Sequence, residues 1–308
     1  MVSYGFLGPA GTFAHAAARQ VAEPGVELVP YPSVTHAVDA LHAGAVDGAL
    51  VPLENSVEGA VPATLDALTG EDPLVIVAET FLPVVFDLMA RPGTDLAAVK
   101  TVATHPHAEA QVRRYLLDTL PEAQVTLVSS TAGGAQAVAA GEFDAAVAPV
   151  ISAELYGLST LAHDIADNAG AVTRFVLLTR PQPAPAPTGN DRTTLVTYLR
   201  DDHAGALLQI LTEFAARGVN LTRIESRPTK GRIGDYCFSI DCEGHLTDAR
   251  VADALLALHR VCASVRYLGS YRRQDGVQSA LQDGSTDTDF AAATTWLSEI
   301  RQYGQGKS

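Results

Sequence analysis

Apolar and polar positions alternate in short blocks along the first 180 residues. Aliphatic and β-branched runs at 2–6, 46–52, 74–78, 100–104, 124–128, 144–147 and 174–179 predict strands. Alanine-rich stretches at 34–43, 108–117 and 132–140 carry helical spacing between them. Such alternation implies an α/β unit. The most apolar stretch, 74–90, is interrupted by Glu79, Pro83 and Asp87, so it reads as a pair of strands and not as a membrane span.

The chain repeats itself inside this region. A displacement of 97 positions brings Ser33, Ala40, Ala43, Gly44, Asp47, Ala49 and Pro52 onto Ser130, Ala137, Ala140, Gly141, Asp144, Ala146 and Pro149. Pro9 and Pro24 fall on Pro106 and Pro121 at the same offset. The repeat predicts two similar α/β lobes, and two facing lobes form a cleft beyond the carboxyl ends of their strands. It sets Leu7-Gly8-Pro9 and Thr104-His105-Pro106 at equivalent strand-to-helix turns, with each proline expected in the first turn of its helix. Helix N-termini aimed into the cleft would favour an anion.

Residues 181–192 are proline-rich and read as a semi-rigid linker. Beyond it come a strand (193–199), a helix (205–217), strands at 220–227 and 235–241, a helix (251–261) and a strand (264–268). That βαββαβ order predicts a ferredoxin-like sandwich. The tail, 272–308, is polar and is expected to be mobile as far as Phe290. Trp296, Leu297, Ile300 and Tyr303 then mark one apolar helical face.

Length and charge narrow the function. A chain of 308 residues accommodates two domains. Its 21 Lys+Arg against 35 Asp+Glu leave a net charge of −14, which argues against nucleic acid or an anionic membrane as partner. An anionic ligand would therefore need locally positive potential. Cys237, Cys242 and Cys262 form no CxxC and have no histidine at metal-ligand spacing, so they read as packing residues in a reducing compartment. The opening Met1-Val2-Ser3-Tyr4 runs into a strand without a signal peptide, and a cytoplasmic location is expected.

Several motifs occur in a specific order: GPAGTF (8–13), VPLENSVEGAV (51–61), THPHAEAQ (104–111), STAGGA (130–135), YGL (156–158), TRF (173–175), GALL (205–208), NLTRIESRP (220–228) and LGSY (268–271). Over residues 2–275 the chain resembles the monofunctional prephenate dehydratases with a C-terminal ACT regulatory domain. The resemblance implies a two-lobed, periplasmic-binding-protein-like catalytic domain (1–180), the linker (181–192), a ferredoxin-like ACT domain (193–275) and a tail (276–308). It implies decarboxylative dehydration of prephenate to phenylpyruvate, with no metal or other cofactor.

By the same resemblance Thr173 donates to the leaving hydroxyl, and Asn55, Thr104 and Gln111 are polar groups of the catalytic cleft. Thr12, Ser56, Arg174 and Phe175 border the substrate, with Phe175 also packing in the core. Successive strand residues point to opposite faces, so Arg174 is equally readable as a tie to the adjacent lobe. If a helix begins at Thr104, that residue and Gln111 share one face. His105 is a rival acid, and Glu54 with Glu58 a less favoured acid–base pair. Two departures stand out. Thr104 replaces a usual serine, and Ala171 replaces an asparagine that often precedes TRF, with Asn168 nearby.

In the second domain, the resemblance assigns a phenylalanine site between two ACT domains to Gly205, Ala206, Leu207 and Leu208. Facing them are Asn220, Leu221, Glu225, Ser226, Arg227 and Pro228. It thus implies feedback by L-phenylalanine and a homodimer or homotetramer. Two rivals remain open: an arogenate dehydratase, whose substrate differs by one amino group, and a non-enzymatic two-lobed binding protein.

Overall fold

Residues 1–168, 170–228 and 236–303 are described in a computed structural model. The chain divides into two units, Met1–Asp72 with Glu79–Arg180, and Pro73–Ala78 with the chain from Pro181. In the first lobe run β1 (Ser3–Leu7), α1 (Phe13–Val21), β2 (Glu27–Tyr31), α2 (Val34–His42), β3 (Gly48–Asn55), the short β4 (Gly59–Ala60), α3 (Pro62–Thr69) and β5 (Val75–Pro83). The second lobe contains β6 (Asp87–Ala90), β7 (Thr101–Thr104), α4 (Pro106–Thr119), β8 (Gln124–Leu127), α5 (Thr131–Ala139), β9 (Ala145–Ala148), α6 (Val150–Tyr156) and β10 (Ser159–Ala162). The chain then returns to the first sheet as β11 (Val172–Thr179).

The two sheets share one plan. Their orders are β2-β1-β3-β11-β5 and β8-β7-β9-β6-β10, each with three parallel strands followed by an antiparallel one. The 97-residue offset holds bond by bond. Ser33 and Ser130 cap α2 and α5, accepting from the amides of His36 (3.2 Å) and Gly133 (2.9 Å). Asp47 accepts from the amide of Ser3 at 2.9 Å, and Asp144 from that of Lys100 at 3.0 Å. Arg180, just past β11, donates to the carbonyls of Leu41 (2.7 Å) and Val46 (3.0 Å). Arg91, just past β6, donates to the equivalent carbonyls of Val138 (2.6 Å) and Phe143 (2.9 Å). Each arginine thereby staples the end of the antiparallel strand to the turn that closes a helix.

The lobes diverge at their first turn. Pro106 opens α4, as expected, but Pro9 does not open α1: residues 8–12 form a loop and Thr12 is the N-cap. Thr12 has the hydroxyl that the first-turn amide of His15 requires, whereas Gly8 has none, which explains the later start. The strands between the lobes are joined by two crossovers that pair with each other, Val84 N to Ala171 O (2.7 Å) and Ile165 N to Phe86 O (2.9 Å). Ala171 packs into the apolar core of the second lobe. Asn168 is exposed and does not border the cleft.

The second unit holds β12 (Asp191–Tyr198), α7 (Ala206–Ala215), β13 (Leu221–Pro228), β14 (Tyr236–Glu243), α8 (Ala249–Val261) and β15 (Ser264–Arg272). The antiparallel order β13-β14-β12-β15, with Leu195 and Ile240 packed against Ile210, Phe214, Val251 and Leu258, is the expected ferredoxin-like sandwich. Strand β12 already includes Asp191 and Arg192, both buried, which had read as linker. The tail differs from expectation. Asn190 donates to Val277 O (3.0 Å) and accepts from Ser279 N (3.2 Å), and α9 (Asp287–Tyr303) begins before Phe290, its start bonded to Ala249 N through Asp287 (2.8 Å). Trp296, Leu297 and Ile300 on α9 are exposed. Asp235 and the side chain of Tyr303 lie outside the described residues. Among the described residues no helix is long and apolar enough to cross a membrane.

Candidate active site

A cavity of about 390 Å³ lies in the first unit, between its two lobes. Thr173 and Phe175 of β11, Asn55 at the end of β3, Thr12 at the start of α1 and Gln111 of α4 all border it. Strand pairing sets Thr173 opposite Asn55, and a register shift follows between Arg174 and Phe175. The amide of Asn55 donates to Thr173 Oγ1 at 2.8 Å. Its orientation is fixed by its other end, where Oδ1 accepts from the amides of Val57 (2.8 Å) and Glu58 (3.2 Å). Thr173 Oγ1 is thus held as an acceptor on the protein side, which leaves its own proton to be donated into the cavity.

Three expected residues lie elsewhere. Thr104 ends β7 and is fully buried; its hydroxyl donates to Val147 O at 3.0 Å, so it shares no helix face with Gln111 and does not border the cavity. Ser56 accepts from Val172 N (2.9 Å), tying the approach to β11. Arg174 is 2 % exposed and points away from Thr173, pairing through Nε with Glu79 (2.8 Å) and through Nη1 with Glu54 (2.9 Å). The guanidinium also lies 5.9 Å from the centre of the Phe81 ring. Arg174 therefore borders no substrate, and it ties β11 to β3 and β5 of its own sheet and not, as expected, to the adjacent lobe. Glu54 and Glu58 are not a pair, because Glu54 faces Arg174 and Glu58 meets His107 Nδ1 at 2.6 Å.

The electrostatics of the cavity come from backbone, since among the described residues no lysine or arginine borders it. The N-terminal turns of α1, α4 and α5 all reach its wall through Thr12 and Phe13, His105 and Ala108, and Ser130 and Thr131. First-turn amides lack intrahelical acceptors and carry partial positive charge, so an anion is favoured here despite the acidic chain. Glu58, the one carboxylate on the wall among the described residues, is engaged by His107. Burial first, then the neighbouring His107, pushes the His105 pKa down, with Glu58 opposing. His105 Nδ1 accepts the amide of His107 (3.3 Å), which assigns the remaining proton to Nε2. A neutral His105 is a hydrogen-bond donor rather than a strong acid. The wall also carries an apolar patch, where Phe13 meets Phe86 edge-on at 5.3 Å.

Sequence reasoning assigned no role to His107, Ser129, Ser130, Thr131, Phe13 or Phe86 at this wall. The repeat contained a signal for Ser130, since its counterpart Ser33 is also a helix cap.

In the second unit a smaller hollow of about 260 Å³ is bordered by Gly205, Ala206, Leu207, Leu208 and Ser226, together with His203, Tyr236 and Phe238. Asn220, Leu221, Glu225, Arg227 and Pro228 do not border it. Gly205 is required by its backbone (φ 90°) rather than by crowding, because a Cβ there would meet nothing within 4 Å. Leu208 is 66 % exposed, leaving the hollow open on one side.

Known proteins match this architecture along nearly the whole chain. The family described as Prephenate dehydratase matches residues 4–183 and the ACT domain matches 193–260. The prephenate dehydratase of Amycolatopsis methanolica is 48 % identical over 298 residues, covering 96 % of this chain and 97 % of that protein. Among solved structures, the prephenate dehydratase of Arthrobacter aurescens in complex with L-Phe superposes with a TM-score of 0.89 at 48 % identity, covering 98 % and 100 % of the two chains. GqqA, described as a novel type of quorum quenching acylase, superposes at 0.80 with 33 % identity and 89 % and 98 % coverage. On these matches the chain belongs to the prephenate dehydratase family, with an ACT domain following the catalytic one.

Proposed function

We propose that the cavity takes prephenate and converts it to phenylpyruvate, CO₂ and water. The bond from the ring to its carboxylate breaks, its electron pair enters the ring, and the C4–OH bond breaks with uptake of one proton, releasing water. Aromatisation supplies the driving force, so the protein need only orient a dianion and hydrogen-bond the departing hydroxyl. One observation carries this reading: Thr173 Oγ1 accepts from Asn55, and Thr173 borders a cavity walled by helix N-termini. Thr173 then donates a fixed hydrogen bond to the leaving group and Gln111 orients the substrate, while Thr12, whose proton goes to Leu7 O, holds the start of α1 at the wall. Arg174 and Ser56 hold β11 in place, and Thr104 supports the second lobe from within.

An acylase, as named for GqqA, calls for an activated nucleophile. Thr173 accepts from Asn55 instead of donating to a base, which disfavours that reading. Purified protein incubated separately with prephenate and arogenate should give aromatic product from prephenate. Product from arogenate alone would move the assignment to arogenate dehydratase, and product from neither would leave a binding protein.

The hollow at Gly205 supports a regulatory site for L-phenylalanine, the amino acid in the Arthrobacter aurescens complex. Its open side suits completion by a second ACT domain, so the active assembly is a homodimer or a homotetramer. Added phenylalanine should inhibit wild type. Gly205→Val places a β-branched residue at φ 90° and should weaken that inhibition; unchanged inhibition counts against the site. Three unpaired, buried cysteines support a cytoplasmic setting.

A further inference from the structure

We infer that Ser152 and Tyr156 are positioning residues that latch the loop 8–12 across the cleft and hold it in its substrate-binding form. The inference rests on the cavity being the prephenate site. Loop 8–12 belongs to the first lobe and delivers Gly8, Thr12 and Phe13 to the cavity wall. Within its own lobe it is held by Gly8 N to Tyr31 O (2.8 Å), Thr12 Oγ1 to Leu7 O (3.0 Å) and Gly11 N to His15 Nδ1 (3.0 Å). Two carbonyls instead reach the other lobe. Ser152 Oγ donates to Gly11 O at 2.7 Å, and Tyr156 Oη donates to Ala10 O at 2.8 Å. Both hydroxyls stand on α6, which packs against α5 and β10 of the second lobe.

The contact is built rather than incidental. Ser152 is fully buried, and Gly11 sits at φ 93°, where a Cβ would press on Ser152 Oγ at 3.0 Å, the Tyr156 ring at 3.2 Å and Ala132 at 3.3 Å. The loop is thus fitted to α6 and to the start of α5. Any opening of the cleft that parts the lobes here must break both bonds. A protein with fewer molecules in the binding-competent form shows a proportionally weaker apparent affinity, while turnover of bound substrate is unaffected.

Ser152→Ala and Tyr156→Phe remove one hydroxyl each and keep the local shape. Losing a hydrogen bond of ordinary strength corresponds to a factor of about 2–12. Each variant should raise KM for prephenate about 2–12-fold with kcat within about twofold, and amide hydrogen exchange of the 7–14 segment should quicken. Faster exchange with unchanged KM would overturn the positioning role, and unchanged exchange would overturn the latch. A fall in kcat alone, following loss of folded protein in a melting experiment, would reduce both residues to structural supports. If Ser152→Ala does not fold, Tyr156→Phe decides. Hydrogen exchange reads the latch without substrate, so a wild type inactive on prephenate would sink the functional reading and leave the latch separately tested.

Discussion

Asn55 and Thr173 lie opposite each other on neighbouring antiparallel strands, and the Asn55 amide donates to the Thr173 hydroxyl. The direction of that bond fixes what Thr173 has left to offer. Asn55→Asp keeps the shape but replaces a donor by an acceptor, so the Thr173 proton turns toward the new carboxylate. The expected result is a fall in kcat of about 10²–10³-fold with little change in melting temperature, measured by steady-state formation of phenylpyruvate. A kcat within twofold of wild type would remove Asn55 from the proposed mechanism.

On the far side of the same strand, Arg174 neutralises a buried carboxylate. Arg174→Met removes the ion pair that Glu79 makes at 3 % exposure, and stability in denaturant should drop by about 3–5 kcal/mol. Removing both charges in Arg174→Met/Glu79→Leu should recover much of the loss. Equal instability of single and double variants would speak against the pair as the cause.

The twin arginines provide a matched experiment. Arg91→Met abolishes two hydrogen bonds from a charged donor to backbone carbonyls and should cost about 1.5–3 kcal/mol. Arg180→Met abolishes the equivalent two and should fall at the low end, because the Arg180 side chain is 44 % exposed. Denaturant titration of both compares them directly, and no loss in either would discount the staples.

His15 makes the first lobe sensitive to acid. Its Nδ1 accepts from Gly11 N, and burial, helped by Arg19, pushes its pKa below the ordinary 6.5. Burial and His107 push His105 the same way. A histidine whose folded pKa is depressed takes up its proton more readily when unfolded, so stability rises with pH in that window. Stability should therefore be fully present above pH 6.5 and decline as pH falls through the lower folded values. His15→Gln should flatten part of that decline, and an unchanged pH profile would exclude His15 as a source.

Thiol chemistry gives a check on the second unit. Burial pushes Cys242 up to about 12, and burial is also the main cause raising Cys237 and Cys262. Reaction requires thiolate, so a disulfide reagent at pH 8 should modify the native protein slowly and all three thiols rapidly after unfolding. Fast labelling of Cys242 in the native state would contradict its buried setting.

Much of this architecture was legible in the chain because its repeat keeps strict register: Ser33, Asp47 and their partners at 130 and 144 recur without a gap. The ferredoxin-like unit was legible through its regular apolar runs. Strand β2 escaped notice because Pro30 interrupts it; it is an edge strand, where proline costs least. Thr104 illustrates a different limit. The residue type suited a cleft, but whether a hydroxyl at a strand end turns outward or toward Val147 depends on a neighbouring strand 43 residues away. Arg174 and Thr173 are adjacent in sequence yet face opposite sides, which strand alternation did foresee. The helix of the tail is legible in its apolar spacing, but its anchors, Asn190 and Ala249, are distant in sequence and carry no local pattern.

The duplicated lobes give the molecule an internal control. Where both copies retain the same chemistry, as in Ser33 and Ser130, Asp47 and Asp144, or the two stapling arginines, the residue maintains a frame that either half needs. At some positions the copies have parted, as in Gly8 against His105, Pro32 against Ser129, or Asn55 against Ser152, and these border the cavity or hold an element that does. Comparison of the two halves thus finds a frame that both share, while Asn55 and Ser152, at one equivalent position, have taken up different tasks on the two sides of the cleft.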